Sequence, residues 1–194
     1  VEDEAYRALA DADAPEGFAQ LAPDRTIMVA GLSKSLAPGL RLGWAVASPG
    51  IIQKLGLLKL AVDTQCSTLN MTAVSLFLER FDIEQHIRLI RQTYLRKKEL
   101  MLATIRQTFP QDIRFTDPSG GLFTWLTFPD GFDAAKFMLE QILPKAKFAY
   151  LPGATFFPLK QETNHARVSY STQPDEIVVK GITALGQLLK SELH

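Results

Sequence analysis

The stretch Val29–Trp44, VAGLSKSLAPGLRLGW, constrains the fold of this chain more than any other. The apolar run Thr26–Ala30 predicts a short strand, and the breaks at Gly31 and Pro38-Gly39 end it. A second apolar run, Leu42–Ala47, predicts another strand. Neither run alternates with polar residues, which is typical of strands covered on both faces. The segment therefore predicts two buried strands joined by a loop.

One lysine stands in that loop. A lysine is usually a solvated surface charge, but Lys34 follows an apolar strand and lies among small residues, with Arg41 seven positions further on. Binding and catalytic residues concentrate on loops that a rigid scaffold holds in place. We therefore single out Lys34 as a candidate functional residue.

Length and composition bound the class of protein. A chain of 194 residues with 46% hydrophobic residues can bury a sizeable core in one or two domains. The formal net charge of zero argues against a basic face that follows a nucleic acid backbone. The three histidines show no helical or cysteine spacing, so no metal site is expected.

The single cysteine and the chain start bear on localisation. Cys66 cannot form an internal disulfide, and a reducing cytoplasm is the simplest setting. No apolar run approaches the ~20 residues that span a membrane, and the acidic start VEDEAY lacks the basic region of a signal peptide. We predict a cytoplasmic location and no membrane partner.

Periodicity, Gly and Pro predict the remaining elements. Val1–Tyr6 is expected to end a strand, and Ala8–Asp24 to form a short helix or loop. Helices are predicted over Ile51–Leu60, Thr72–Glu79, Ile83–Phe109, Asp133–Leu143 (ended by Pro144) and Asp175–Leu193. Further strands are predicted over Ile113–Thr116, Leu122–Phe128, Phe148–Leu151 and Ala166–Ser171. The fold class is α/β with a mostly parallel sheet and helices in residues 1–108, followed by a small α+β domain in residues 109–194.

Several segments resemble one family. SKSLAPGLRLGW is similar to the Schiff-base lysine segment of fold-type I aminotransferases that depend on pyridoxal 5'-phosphate (PLP), and most similar to the 2-aminoadipate/kynurenine aminotransferase-like branch of class I/II. DEAY, HIRLIRQTYLRKKELM, GGLFTW, LPGATFF and NHARVSYS match further segments in the same order. The resemblance covers essentially the whole chain. It implies that residues 1–108 are the later part of a large PLP-binding domain with its inter-domain helix, and residues 109–194 the small C-terminal domain.

The resemblance assigns the cofactor contacts. It implies that Lys34 forms the Schiff base with PLP and moves the substrate proton. Asp3 is expected to pair with the protonated pyridine nitrogen, which lets the ring accept negative charge. Tyr6 is expected to hydrogen-bond the 3-oxygen of the ring, and Arg41 to clamp the phosphate.

Two further roles follow from the resemblance. Gly31 stands where the family often has Ser or Thr, so Ser33 is the better candidate for a phosphate hydroxyl, although Ser33 and Ser35 could instead cap a helix. Arg167 is expected to hold the substrate α-carboxylate. Four aromatic residues remain open between a substrate pocket and the core: Phe123, Trp125, Phe156 and Phe157.

The implied activity is transfer of an amino group from an L-amino acid to a 2-oxo acid by a PLP-dependent homodimer. The resemblance also places the phosphate-binding turn and the ring stacked on PLP before Val1, so we interpret the chain as a fragment. Two alternatives share the lysine segment. One is the aminotransferase-like effector domain of a GntR/MocR-type transcriptional regulator, and the other is a PLP-fold lyase that acts at Cβ.

Overall fold

The structure is a computed structural model that describes residues 1–10, 15–159 and 162–193. Its longest element is a helix over Ile83–Thr108. The chain divides inside this helix into two compact units, Val1–Arg91 and Gln92–His194. The predicted domain boundary lies later, after residue 108. The units separate earlier because Met101 and Ile105, in the second half of the helix, pack into the core of the second unit. As a boundary between domains, residue 108 stays a prediction.

The described residues of the first unit form a three-stranded sheet and three short to medium α-helices. The strands are β1 (Glu2–Asp3), β2 (Met28–Gly31) and β3 (Gly43–Val46), and the helices are α1 (Phe18–Leu21), α2 (Pro49–Val62) and α3 (Thr68–Arg80). The strand order is β1-β2-β3, with β1 parallel to β2 and β2 antiparallel to β3. The described part of this sheet is therefore mixed, where the sequence predicts a mostly parallel sheet.

The strands of the first unit are more exposed than the sequence predicts. Residues of β2 are half-buried, and Trp44 and Val46 of β3 are 49% and 52% exposed. Their apolar sequence predicts cover on both faces, but the described residues of this unit place no such layer over β3. The positions of both strands agree with the predicted runs to within two residues.

Local signals explain where the helices of the first unit begin. Pro49 occupies the first turn of α2, where its missing N–H leaves no bond unmade. Ser67 caps α3, and its hydroxyl accepts a hydrogen bond from the backbone N–H of Asn70 at 3.4 Å. This cap starts α3 at Thr68, earlier than the predicted Thr72. Part of the predicted Ala8–Asp24 segment, residues 11–14, lies outside the described residues.

The second unit packs helices against a four-stranded antiparallel sheet, as an α+β domain does. The strands are β4 (Arg114–Phe115), β5 (Phe123–Thr127), β6 (Leu151–Pro152) and β7 (His165–Ser169), in the order β4-β5-β7-β6. The helices are α4 (Ile83–Thr108), which enters from the first unit, and α5 (Ala134–Phe137), α6 (Leu143–Ala146) and α7 (Asp175–Leu193). The fully buried core includes Leu102, Ile105, Leu126, Ala166, Ile182, Leu185 and Leu189.

Two predicted ends in the second unit are wrong. Pro144 does not stop the helix, because a π-helical turn over Met138–Ile142 precedes it and α6 continues to Ala146. A widened turn next to a proline absorbs the hydrogen bond that the proline lacks. The strand predicted from Phe148 starts only at Leu151, after Lys147 has turned the chain with a φ of 50°.

The fully buried side chains include tyrosine, which makes the stability of this unit sensitive to alkaline pH. Burial raises the pKa of Tyr170 to about 12, and burial also raises the pKa of Tyr150, whose hydroxyl donates to the Ala134 carbonyl. Their neutral forms contribute stability below the unfolded pKa of 10.0, and this contribution is lost as the pH rises through the folded value.

We therefore expect the free energy of unfolding to fall between about pH 10 and about pH 12, and to fall less steeply in Tyr170→Phe. Urea unfolding at a series of alkaline pH values measures this dependence. An identical slope in the two proteins would contradict the assignment to Tyr170.

Candidate active site

The candidate site is built on the connection between β2 and β3. The last residue pair of this antiparallel ladder is Gly31 with Gly43, and residues 32–42 form the link between them. The link carries Ser33, Lys34 and Arg41. Antiparallel pairing therefore brings side chains from the two ends of the link to one edge of the sheet.

Glycine is required where the ladder closes. A Cβ atom on Gly43 would lie 2.7 Å from the carbonyl oxygen of Ala30, and one on Gly31 would lie 3.1 Å from that of Leu42. Both neighbours are backbone atoms, so a side chain at Gly43 could be accommodated only by moving a strand. The two glycines thus fix the distance between the strands that present Lys34 and Arg41.

Lys34 lies on a single helical turn that follows β2. The amides of Leu36 and Ala37 both donate to the carbonyl of Leu32, at 2.9 and 3.0 Å. Within this turn Ser35 is buried and Lys34 is exposed. Among the described residues, the Lys34 amine forms neither a hydrogen bond nor an ion pair, and its Nζ lies over the Tyr6 ring, 5.6 Å from the centroid.

The parallel partner strand supplies the acid. In β1, Asp3 pairs with Val29 of β2, so both strands run toward the edge that carries Lys34. Ligand sites in sheets with parallel strands lie outside the carboxyl ends of those strands. An Asp3 side-chain oxygen accepts the Ala5 amide at 2.9 Å, which holds the turn that leads to Tyr6.

These side chains line one cavity of about 300 Å³. Its walls include Asp3, Ser33, Lys34 and Arg41, and the described residues form no ion pair between Asp3 and either cation. An amine, a carboxylate, a guanidinium and a hydroxyl therefore face one space with their charges available to a ligand. Tyr6 reaches the site through its contact with Lys34.

Arg41 adopts an uncommon backbone conformation. It ends the 3₁₀ helix Pro38–Leu40 with φ 53° and ψ 38°, in the left-handed region. An L-residue other than Gly or Asn rarely adopts this region, and the strain costs about 1 kcal/mol. Its guanidinium donates to the Pro38 carbonyl at 3.3 Å. Strained residues cluster at functional sites, which supports a role for the Arg41 side chain.

Asn70 braces the link that carries Arg41, although the sequence gives only a weak signal for this contact. Its side-chain amide donates to the carbonyl of Leu40 at 3.0 Å and ties the start of α3 to the residue before Arg41. Asn70 ends the polar stretch TQCSTLN. The thirty-residue separation of the two partners hides this contact from local patterns.

The second unit holds Arg167 on the outward face of its sheet. Arg167 lies in β7 opposite Trp125 of β5, and the buried Ala166 and Val168 on either side face the core. Its guanidinium carbon lies over the rings of Phe123 and Phe156, 4.1 and 4.9 Å from their centroids.

His165 shares that outward face. The indole N–H of Trp125 donates to His165 Nδ1 at 3.2 Å, and His165 Nε2 lies 3.1 Å from Glu162. None of Phe123, Trp125 and Phe156 is part of the hydrophobic core. Phe157 is not part of that core either, and a substrate pocket lined by these four rings stays a prediction.

The structure thus groups five of the six candidate residues in the first unit: Asp3, Tyr6, Ser33, Lys34 and Arg41. Arg167 lies in the other unit, among aromatic rings. No group of three or more His, Cys, Asp or Glu side chains able to hold a metal ion occurs within the described ranges. None of the helices described here is long and apolar enough to cross a membrane.

Comparison with known proteins identifies the family. The family model of "Aminotransferase class I and II" matches residues 1–185. The chain belongs to this family. The aromatic-amino-acid aminotransferase 1 of Thermococcus litoralis is 34% identical over 169 residues, which are 87% of this chain and 40% of that protein. The 2-aminoadipate transaminase of Thermus thermophilus is 33% identical over 199 residues, which cover the whole of this chain and 49% of that protein.

Solved structures of class I and II aminotransferases share the fold. The alpha-aminoadipate aminotransferase LysN of Thermus thermophilus, solved with N-(5'-phosphopyridoxyl)-L-leucine, matches with a TM-score of 0.90 and 34% identity. The match covers 99% of this chain and 50% of that chain. The family prediction and the predicted mixture of helices and sheet are confirmed. The chain spans about half the length of such relatives.

A regulator is also similar. The HTH-type transcriptional regulator NorG of Staphylococcus aureus is 28% identical over 152 residues, which are 78% of this chain and 34% of that protein. The relatives of this chain thus include both named aminotransferases and a named regulator.

The groups in the cavity fit the cofactor of this family. PLP carries an aldehyde, a pyridine nitrogen and a phosphate. Lys34, Asp3 and Arg41 offer an amine, a carboxylate and a guanidinium, one suited to each of these groups. The volume of about 300 Å³ is at the lower end of the range for ligand pockets.

The strain at Arg41 predicts a difference between two substitutions. Arg41→Ala removes the side chain but keeps the left-handed strain, whereas Arg41→Gly removes both. We expect the free energy of unfolding of the Gly variant to be about 1 kcal/mol higher than that of the Ala variant. Urea unfolding of the two variants measures this difference. Equal stability would show that residue 41 does not adopt the left-handed conformation.

Proposed function

We propose that the protein containing this chain is a PLP-dependent aminotransferase that transfers an amino group from an L-amino acid to a 2-oxo acid. The observation that carries this proposal is the convergence of Lys34, Asp3 and Arg41 on one cavity in a member of the class I and II family. The carboxyl ends of β1 and β2 present these groups together.

Three side chains would hold the cofactor. The Lys34 amine would condense with its aldehyde with loss of water, the Asp3 carboxylate would pair with the protonated pyridine nitrogen, and the Arg41 guanidinium would bind the phosphate through its planar fork of donors. Tyr6 and Ser33 add hydroxyl groups at the edge of the same site. When bound, PLP supplies an electron-accepting ring that stabilises the negative charge left on the substrate when a bond at Cα breaks.

Lys34 has a second role after the amino acid has entered. Once the amino group of the substrate had replaced the lysine on the aldehyde carbon of the cofactor, the freed Nζ would take the proton from the substrate Cα and return it to that carbon. The exposed position on the turn and the absence of an ion pair among the described residues leave this amine able to move. Arginine could not replace it, since a guanidinium stays protonated at neutral pH.

Arg167 binds the α-carboxylate of the substrate in this proposal. A bidentate pair between guanidinium and carboxylate fixes both the position and the plane of the amino acid, which orients its Cα–H bond. In the described part of the chain, the Arg167 guanidinium has no acidic partner that would compete with the substrate.

The similarity to NorG supports a second candidate, the effector domain of a transcriptional regulator. Such a domain would bind the cofactor through the same lysine without turning over an amino acid. A lyase that acts at Cβ is the third possibility and shares Lys34 and Arg167. A homodimer and a cytoplasmic setting belong to the same proposal and stay predictions.

The test is to trap the cofactor in the longer protein. PLP is added, the absorbance near the edge of the visible range is recorded, and borohydride reduction is followed by peptide mapping. We expect an absorbance band and a label on Lys34. Lys34→Arg should lose both, whereas the matched variant Lys54→Arg, on α2, should keep both. A label spread over several lysines would contradict the assignment.

Amino acids added to the loaded protein then separate the three candidates. An aminotransferase bleaches the band and releases a 2-oxo acid without free ammonia, and it needs a second 2-oxo acid to restore the band. A Cβ lyase releases ammonia. A regulator domain gives a spectral change without a multiple-turnover product.

A further inference from the structure

The surroundings of Arg167 contain a feature that carboxylate binding alone does not require. The guanidinium carbon lies 4.1 Å from the centroid of Phe123 and 4.9 Å from that of Phe156, over the face of each ring. A cation within about 6 Å of a ring centroid is attracted by the ring quadrupole. Arg167 therefore has two such contacts at once.

The two rings come from either side of the strand that carries Arg167. Strand β7 lies between β5 and β6. Phe123 is the first residue of β5, and Phe156 ends the 3₁₀ helix Gly153–Phe156 that directly follows β6. The rigid sheet thus positions both rings independently.

A glycine places the second ring. Gly153 is buried, and a Cβ atom there would lie 2.4 Å from the Cβ of His165. Only glycine lets the 3₁₀ helix pack this closely on β7. The close packing brings Phe156 to Arg167, although Phe156 itself remains 43% exposed.

Trp125 supports the exposed ring. Its indole meets Phe156 edge-on, with centroids 5.5 Å apart and planes at 79°. The indole is a donor only, so His165 Nδ1 accepts its N–H at 3.2 Å. In the neutral imidazole the proton then lies on Nε2, which donates to Glu162 at 3.1 Å. A chain of contacts thus runs from Glu162 to the ring over Arg167.

This arrangement leaves the hydrogen-bonding edge of the guanidinium available. The Arg167 guanidinium forms no hydrogen bond or ion pair with any other described residue, and the residue is half-buried. The five donors of a guanidinium lie in its plane, whereas rings attract it through its faces. The rings therefore hold Arg167 without occupying the donors that a carboxylate needs.

We propose that Phe123 and Phe156 are positioning residues that hold the guanidinium of Arg167 in the orientation that binds the substrate carboxylate. The inference rests on the role given to Arg167 in the proposed function. The rings fix a long side chain that would otherwise lose rotamer freedom on binding, and they exclude water from the ion pair.

The test measures Arg167 itself in the 194-residue chain, with 3-phenylpropionate as a carboxylate probe that lacks an amino group. The Arg167 Nε–H signal in an NMR spectrum, assigned with Arg167→Lys, should show the upfield shift expected over aromatic rings. Phe123→Leu and Phe156→Leu should each reduce that shift and weaken probe binding by about 3- to 30-fold. Phe156→Tyr keeps the aromatic ring and should retain both the upfield shift and the affinity for the probe.

Phe157→Leu is the matched control. Phe157 packs against Trp125 and His165, with centroids 6.3 and 5.2 Å away, but it is not one of the rings over Arg167. We expect this variant to keep the Nε–H shift and the probe affinity. Loss of affinity in Phe157→Leu equal to that in Phe156→Leu would overturn the inference, because the effect would then be general to the aromatic cluster.

The outcome is separable from that of the proposed function. If Lys34 is labelled but the ring variants bind the probe as tightly as the unaltered chain, the inference about the rings is wrong and the cofactor assignment stands. If Arg167 binds the probe in a ring-dependent way but Lys34 is not labelled, the rings position a carboxylate site that serves another function. Absence of any Arg167-dependent binding overturns the inference.

Discussion

The pairing of Gly31 with Gly43 is the contact on which the first unit depends. It closes the ladder between β2 and β3 with so little space that a Cβ on Gly43 would meet a backbone oxygen at 2.7 Å. Everything between the two glycines is thereby held at one edge of the sheet. Lys34 leaves that edge on a helical turn and Arg41 returns to it in a left-handed conformation. The site is a consequence of how closely two strands approach.

Much of this could be predicted from the sequence because the signals are local. The apolar run before Lys34 and the helical patterns of α2 and α7 each belong to one element, and the structure has those elements in place, although α2 starts at Pro49 and not at the predicted Ile51. The spacing of apolar residues also predicted the long helix α4 to within a residue. The shared cavity of Asp3, Lys34 and Arg41 followed only from the resemblance to a family, since nothing in the spacing of these residues fixes their distance.

The remaining features depend on contacts distant in sequence. The side-chain amide of Asn70 donates to the Leu40 carbonyl, thirty positions away. The rings over Arg167 come from two separate elements. The predicted helix end at Pro144 was wrong. Proline ends a regular α-helix, but the π-helical turn before Pro144 lets this helix continue. The prediction that both faces of β3 are covered was wrong for the described residues. An apolar composition indicates that a strand can be buried, but it does not show which layer lies over it.

In the proposed function Arg41 and Arg167 each bind an anion, and the chain holds the two guanidinium groups in different ways. A guanidinium that binds an anionic ligand must be held in position without an acidic side chain as its partner, since that side chain would compete with the ligand. At Arg41 the backbone adopts a left-handed φ of 53°, and the guanidinium donates to the Pro38 carbonyl. At Arg167 the rings of Phe123 and Phe156 hold the guanidinium through the faces of the cation. The two ring contacts restrict the Arg167 side chain before an anion arrives, so less entropy is lost when the anion binds.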